Sequence, residues 1–253
     1  MTPTSNTPTS NTPTSNKVPN TMRIDLHCHS VASHDCLIPL EDFPERCLEA
    51  GIKVQAITDH DQLWGGLELQ NIVAQSPYAD TFTVIAGEEV MTQEGEIIGL
   101  FLQERITPKQ TPEATIAAIR EQGGLVLLPH GFDPKKRHRL KPAALQRVYQ
   151  DIDIIEIFNA RVSNPKYNEA ARAFAQEHHL AMSAGTDAHT LKDIGAAYVE
   201  TPTRAINTPE DLIAALQAGH VEGQWTHPVE AFAYKMWDQA RTLVGNFTSA
   251  NSP

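Results

Sequence analysis

Histidine and carboxylate side chains recur at short intervals along this chain, and such a mixture is suited to holding metal ions. His27 and His29 stand one residue apart behind Ile24-Asp25-Leu26. On an extended segment, side chains at i and i+2 share a face, so both imidazoles can approach one ion while Cys28 faces the other way. The same residue types return in His34-Asp35, Asp59-His60-Asp61, Glu88-Glu89, Glu96, His130, Glu156 and Asp187-Ala188-His189. Imidazoles mixed with carboxylates suit Zn, Mn or Fe better than Ca or Mg. The donors outnumber what one tetrahedral ion needs, which points to two or three divalent ions sharing a bridging carboxylate. Neighbouring ions stabilise the attacking and leaving oxygens of a displacement at phosphorus and lower the pKa of bound water.

Elements able to bring these residues together follow from the hydrophobic pattern. Short apolar runs at 23–27, 53–58, 83–90, 96–102, 125–128, 152–158, 180–183 and 196–199 read as strands, with a hairpin turn at Glu94-Gly95. Helices fit 39–50, a stretch ending near Ala74, 112–122, 142–149, 165–178 and the run after Thr208-Pro209. Thr111 and Pro112 read as a cap and first helical residue. A last amphipathic segment, roughly 228–244, closes the chain. Strands alternating with helices argue for parallel pairing, and about seven such units favour a barrel over an open doubly wound sheet. Functional groups in such folds gather at the carboxyl ends of strands. Six of the 11 histidines fall there: His27, His29, His34, His60, His130 and His189.

Composition narrows the function classes. A formal net charge of −11 argues against a broad electrostatic grip on duplex nucleic acid. Small anionic substrates remain compatible if bound cations reverse the local field. Three cysteines without a CxxC pair argue against a disulfide framework and for a reducing compartment. No apolar run reaches membrane-spanning length, and the N-terminus shows no apolar secretory segment, so no membrane contact and a cytoplasmic location are expected. Residues 2–16 are three copies of Thr-Pro-Thr-Ser-Asn, a tract without core-forming residues. Disorder is expected over 1–20, and a single folded domain over 21–253.

The stretches DLHCHS with Asp35, AITDHD, GEEV followed by GEIIGLFL, LLPHGF, IEIFNAR and GTDAH run in this order across roughly residues 23–200. Together they resemble the PHP (polymerase and histidinol phosphatase) family, especially its small stand-alone metal-dependent phosphoesterases. The resemblance implies a distorted seven-stranded (β/α) TIM-like barrel. It also implies one ion held by His27, His29, Glu89 and Asp187, with Glu89 bridging to a second ion that uses His130. A third ion would use Asp35, His60 and His189. Glu89 is preferred to Glu88 because the family's Glu stands two residues after a Gly, here Gly87, and only one of two adjacent acids can face the cavity. His34 is the fallback for Asp35. Many relatives carry a histidine just before the I-x-G-L run where this chain has Glu96, which either ligates the second ion or leaves that site weak.

Beside the ligands, Asp59 is expected to accept the His60 imidazole N–H and fix its tautomer. Asp61 is expected to cap the following helix. Arg161 would clamp phosphate, and the basic run Lys135-Lys136-Arg137-His138-Arg139 would overhang the site. The reading is hydrolysis of a small phosphorylated substrate, a phosphate monoester of a nucleotide or other metabolite, by a metal-bound hydroxide. The catalytic set would be His27, His29, Asp35, His60, Glu89, His130, Asp187 and His189. Rival readings are a phosphodiesterase or an exonuclease on short oligonucleotides, an amidohydrolase-type enzyme, which normally expects a middle-strand lysine, and a silent metal-stabilised binding module.

Overall fold

A computed structural model describes residues 20–230, 232, 233 and 236. The Thr-Pro-Thr-Ser-Asn repeat and most of the segment 228–244 lie outside the described residues. Among the described residues, nine strands form one sheet: β1 (Thr21–Asp25), β2 (Ile52–His60), β3 (Thr83–Thr92), β4 (Gly95–Leu100), β5 (Leu125–Leu128), β6 (Ile154–Asn159), β7 (Ala181–Gly185), β8 (Ala197–Pro202) and β9 (His220–Gly223). Their order is β7-β6-β5-β4-β3-β2-β1-β8-β9. The helices between them are α1 (Phe43–Glu49), α2 (Trp64–Ala74), α3 (Pro112–Glu121), α4 (Pro142–Val148), α5 (Lys166–Glu177) and α6 (Pro209–Ala218).

Strands β1–β3 run parallel, as do β5–β7, while β4 pairs antiparallel with both β3 and β5. The ring closes because β1 divides its outer edge between two partners. Its amino half, Thr21 to Ile24, pairs antiparallel with β8. Just beyond it, Leu26 N–H donates to Ala184 O (3.3 Å), Asp187 N–H to His27 O (2.8 Å) and His29 N–H to Ala188 O (3.2 Å). Strands β1 to β7 thus form a distorted barrel, and β8 and β9 extend the sheet from the amino end of β1. The sheet holds nine strands against the seven expected: seven make the ring, and β8 matches the apolar run at 196–199. The one strand without a sequence signal is β9, a mostly exposed edge whose His220-Val221-Glu222-Gly223 carries one apolar residue and no alternation to reveal it.

Burial explains why these segments are strands. In β5, Leu125 and Leu127 enter the inner core with Ile24, Val54, Ile98 and Ile154, whereas Val126 and Leu128 pack outward with Ile119 of α3 and Val148 of α4. A strand covered on both faces reads as an unbroken apolar run. Thr111 caps α3 as expected, its Oγ1 accepting the Ala114 N–H at 3.2 Å. The β3–β4 hairpin turns at Gly95 with φ of 123°, a conformation glycine adopts without strain. Added there, a Cβ would also lie 2.3 Å from Arg139 O, because the loop before α4 packs directly on this turn. No helix among the described residues is long and apolar enough to cross a membrane.

Candidate metal centre

The first strand stops at Asp25, two residues earlier than its apolar pattern suggests. Its carboxylate turns onto the backbone, Oδ1 accepting the N–H groups of His27 and Thr186, both at 3.1 Å. His27 and His29 follow and still point the same way, while Cys28 packs outward with Ile38, Phe43 and Ala188. Glu89, inward-facing on β3 and almost wholly buried, stands at the centre. Its Oε2 lies 3.4 Å from His27 Nε2, 3.5 Å from His29 Nε2 and 3.1 Å from His60 Nδ1. Its Oε1 lies 3.1 Å from His130 Nε2. Asp187 Oδ1 sits 3.4 Å from His29 Nε2 and 3.9 Å from His27 Nε2.

On the far side, Asp35 Oδ2 lies 2.9 Å from His189 Nε2, and Oδ1 lies 3.9 Å from His60 Nε2. Glu96 reaches both His60 Nδ1 and His130 Nε2 at 3.8 Å. The structure therefore brings together all nine residues that the sequence singles out as ligands. His34 is exposed at the edge, its ring 5.6 Å from that of His60. The donors fall into tight groups, His27/His29/Glu89, His27/His130/Asp187, His60/Glu89/Glu96 and His29/His60/His189, each spanning no more than 4.8 Å. This partition differs from the one the resemblance implies, because His60 joins Glu89 and Glu96 as well as His189.

Three atoms test whether these residues fit a metal. His27 Nε2, His29 Nε2 and Glu89 Oε2 are buried, converge on one another beside His60 Nδ1 and Asp187 Oδ1, and make no hydrogen bond. Buried polar atoms left unpaired are rare because each forfeits its hydration. Imidazole and carboxylate lone pairs aimed at a common point suit divalent transition ions. The opposite ring atoms are held: His27 Nδ1–H donates to Glu156 Oε1 at 2.9 Å, His29 Nδ1 meets Ser33 Oγ at 3.1 Å, and His189 Nδ1–H donates to Asp187 O at 2.9 Å. Such bonds fix the tautomer that leaves Nε2 available. Two members pay in backbone strain. His130 (φ 30°) and Asp187 (φ 53°) occupy the left-handed region, which L-residues adopt only when their surroundings enforce it.

Two expected roles are corrected. Asp59 does not meet the His60 ring, because neighbouring strand residues face opposite ways. Its Oδ1 and Oδ2 accept from Ser30 N–H (2.6 Å) and Ser30 Oγ–H (2.7 Å), so it fixes the loop after His29 instead. Asp61 caps no helix; its Oδ1 accepts the Met91 N–H at 2.8 Å and braces β3 behind Glu89. Glu88 turns away from the centre and accepts the Ile106 N–H at 2.9 Å, burial pushing its carboxyl up to about 7.

Sequence reasoning missed the part played by Glu156. A lone acid in Ile-Ile-Glu-Ile-Phe resembles the wet face of a strand, but here that face is the barrel interior. It also left open which basic residue enters the site. Lys136 does, pairing with Asp187 Oδ2. Arg161 donates from its guanidinium to Asp187 O at 3.1 Å.

Charge in the centre is arranged for cations. Burial pulls His29 and His60 below the usual imidazole range, which keeps their lone pairs free of protons. Burial acts on His27 in the same sense, yet Glu89, Glu156 and Asp187 outweigh it and hold that imidazole well above its ordinary value. Glu96 is pushed up to about 9, by burial first and then by the nearby Glu89. Both shifts favour the protonated form, and Glu96 in particular holds its proton at neutral pH until it ligates. Metal binding is expected to expel protons and to tighten as pH rises toward 9. Calorimetric titration in two buffers of different ionisation enthalpy measures this. Binding heats that do not depend on the buffer would contradict it.

Comparison with known proteins agrees with this geometry. The PHP-associated family model matches residues 165–221. An uncharacterised protein of Methanocaldococcus jannaschii is 33% identical over 194 residues, covering 76% of this chain and 75% of its own. A two-domain protein from Bacteroides vulgatus, containing a predicted PHP-like metal-dependent phosphoesterase, superposes with a TM-score of 0.64 at 16% identity. That match covers 81% of this chain and 66% of the two-domain protein. An amidohydrolase of Chromobacterium violaceum with bound sulfate and no metal has a TM-score of 0.53 at 17% identity, covering 79% of this chain and 97% of that one. The chain belongs to the PHP family, and its nearly closed sheet is a barrel of that family's kind.

Proposed function

We propose that this protein is a metal-dependent phosphoesterase that hydrolyses a phosphate monoester of a nucleotide or other small metabolite. The observation that carries the reading is a cationic rim set against the unpaired ligand atoms. A cavity of about 510 Å³ opens over Asp35, His60, Glu89, Glu96, His130 and Asp187, and Lys136, Arg137 and Arg161 line its wall. That volume lies within the range of small-molecule sites. The nine ligands would hold two or three divalent ions, Mn, Zn or Fe, and bound there these would supply Lewis acidity and lower the pKa of water. Glu89, within 3.5 Å of four imidazoles, is the carboxylate that would be shared if more than one ion is held. Arg161 and Lys136 orient the phosphoryl group, the guanidinium presenting paired N–H donors and the ammonium a point charge. The three cysteines are free and buried, in keeping with a cytoplasmic location.

The rivals fare less well on particular residues. A carbon–nitrogen hydrolase of the amidohydrolase kind expects a lysine on a strand. Lys136 instead reaches the cavity from the loop after β5 and is paired with Asp187. A phosphodiesterase remains the nearest alternative, since the rim would grip a diester equally. The full chain, loaded with Mn or Zn, is to be assayed on nucleoside and sugar monophosphates, an aryl phosphodiester and short RNA oligomers. Metal-dependent release of inorganic phosphate from monoesters is the expected result. Faster turnover of the diester or the oligomers would replace this reading with the phosphodiesterase, and turnover of nothing would favour a binding module.

A further inference from the structure

One side chain at the edge of the centre is left over by the nine ligands. His138, on the loop between β5 and α4, places Nδ1 3.5 Å from Glu96 Oε1. Two donors each about 2.0–2.1 Å from one ion stand about 3.0–3.4 Å apart, and the His29–Asp187 and His27–Glu89 separations in the centre are both 3.4 Å. The His138–Glu96 spacing is therefore close to that of two ligands on one ion. Glu96 Oε1 is also the oxygen that faces His60 Nδ1, so His138 approaches from the solvent side an atom already turned toward the inner group His60/Glu89/Glu96.

The placement is built into the backbone. Glu96 N–H donates to His138 O at 2.7 Å, and Lys141 N–H donates to Glu94 O at 2.8 Å. These two bonds lace the loop to the hairpin on either side of Gly95, where only glycine leaves room for Arg139 O. The loop therefore has a fixed address beside the first residues of β4. The imidazole itself is 54% exposed and lines the same cavity as Glu96, which leaves it room to turn toward a bound ion.

We propose that His138 is a further metal ligand, completing with His60, Glu89 and Glu96 a four-donor site closed from the solvent side. Two imidazoles and two carboxylates make a donor set suited to Zn, Mn or Fe. The proposal rests on the metal-dependent reading above. The alternative is an ordinary exposed contact between His138 and Glu96, which contributes little.

The test is titration of the full chain with Mn²⁺ and, separately, Zn²⁺, followed by calorimetry and by Mn²⁺ paramagnetic resonance. In His138→Ala and His138→Gln, one class of sites is expected to weaken at least about tenfold, with the remaining sites within about twofold of wild type. Glu96→Gln is expected to weaken the same class, and the double variant to lose little more than the worse single one. Residue 138 takes part in lacing the loop through its backbone carbonyl, which substitution leaves in place, so the metal-free variants should melt with the wild type. Unchanged affinity for every ion in His138→Ala overturns the proposal, even if turnover falls. A wild-type chain that takes up no ion overturns the metal-dependent reading itself, a different result.

Discussion

Glu89→Gln is expected to reduce turnover by at least about three orders of magnitude, some 4 kcal/mol of transition-state stabilisation, and to strip ions from the centre. The substitution keeps the size and shape of a side chain that is 1% exposed, so the barrel should remain folded. What changes is charge and donor chemistry. The Glu89 oxygens face His27, His29, His60 and His130 at 3.1 to 3.5 Å, and no other carboxylate in the centre reaches all four. An amide offers one weak oxygen donor, and its NH₂ group would point hydrogens at lone pairs meant for metal. If two ions share Glu89 as proposed, losing its negative charge would also leave them to repel each other in a low-dielectric interior. Metal content by elemental analysis, paired with steady-state kinetics, measures both effects. A variant that kept its ions and lost less than tenfold in rate would show that Glu89 does not bridge.

Glu156→Gln should act through the proton on His27. One Glu156 oxygen accepts from His27 Nδ1–H, and the other accepts the His130 N–H (2.6 Å) and the Asn159 amide (3.1 Å). A glutamine keeps its oxygen toward those two donors, since its NH₂ would clash with them. That leaves the NH₂ facing His27 Nδ1, which must become an acceptor, and the ring proton moves to Nε2. Nε2 is the very atom aimed at Glu89 and Asp187. A loss of about 10–100-fold in metal affinity is expected, the scale seen when groups behind a ligand are altered. Two-bond ¹⁵N–¹H correlation spectra of the imidazoles read the tautomer directly. If His27 still carried its proton on Nδ1 while affinity fell, Glu156 would be acting by charge alone.

Much of this arrangement was legible from residue types and order. The choice of Glu89 over Glu88 came from its place two residues after Gly87, which the family resemblance implies, strand alternation adding only that one of the two faces the cavity. The LVLL run, the turn at Glu94-Gly95 and the Thr111 cap each carry a local physical signature. What could not be read depends on contacts between distant segments. Asp59 has two possible partners of opposite direction, and only the placement of Ser30 decides between them. Glu156 is one acid among isoleucines until the barrel shows which face is inside. Lys136 is indistinguishable from its basic neighbours until the loop around it is anchored. β9 exists because β8 offers it an edge, not because its own four residues prefer extension.

The divided edge of β1 has a consequence for how the protein assembles. His27 and His29 leave the first strand of the ring, and Asp187 and His189 leave the last. The bond from Thr186 to Asp25 spans 161 positions of chain. Drawing two such remote ends together costs loop-closure entropy that no local contact repays in advance. Ions bound by residues from both ends would act as the clasp of a bracelet: they cannot be held while it is open, and once held they oppose its opening. Ion binding would thus add to the backbone bonds that already close the barrel, and the metal-loaded chain should resist opening more than the metal-free one.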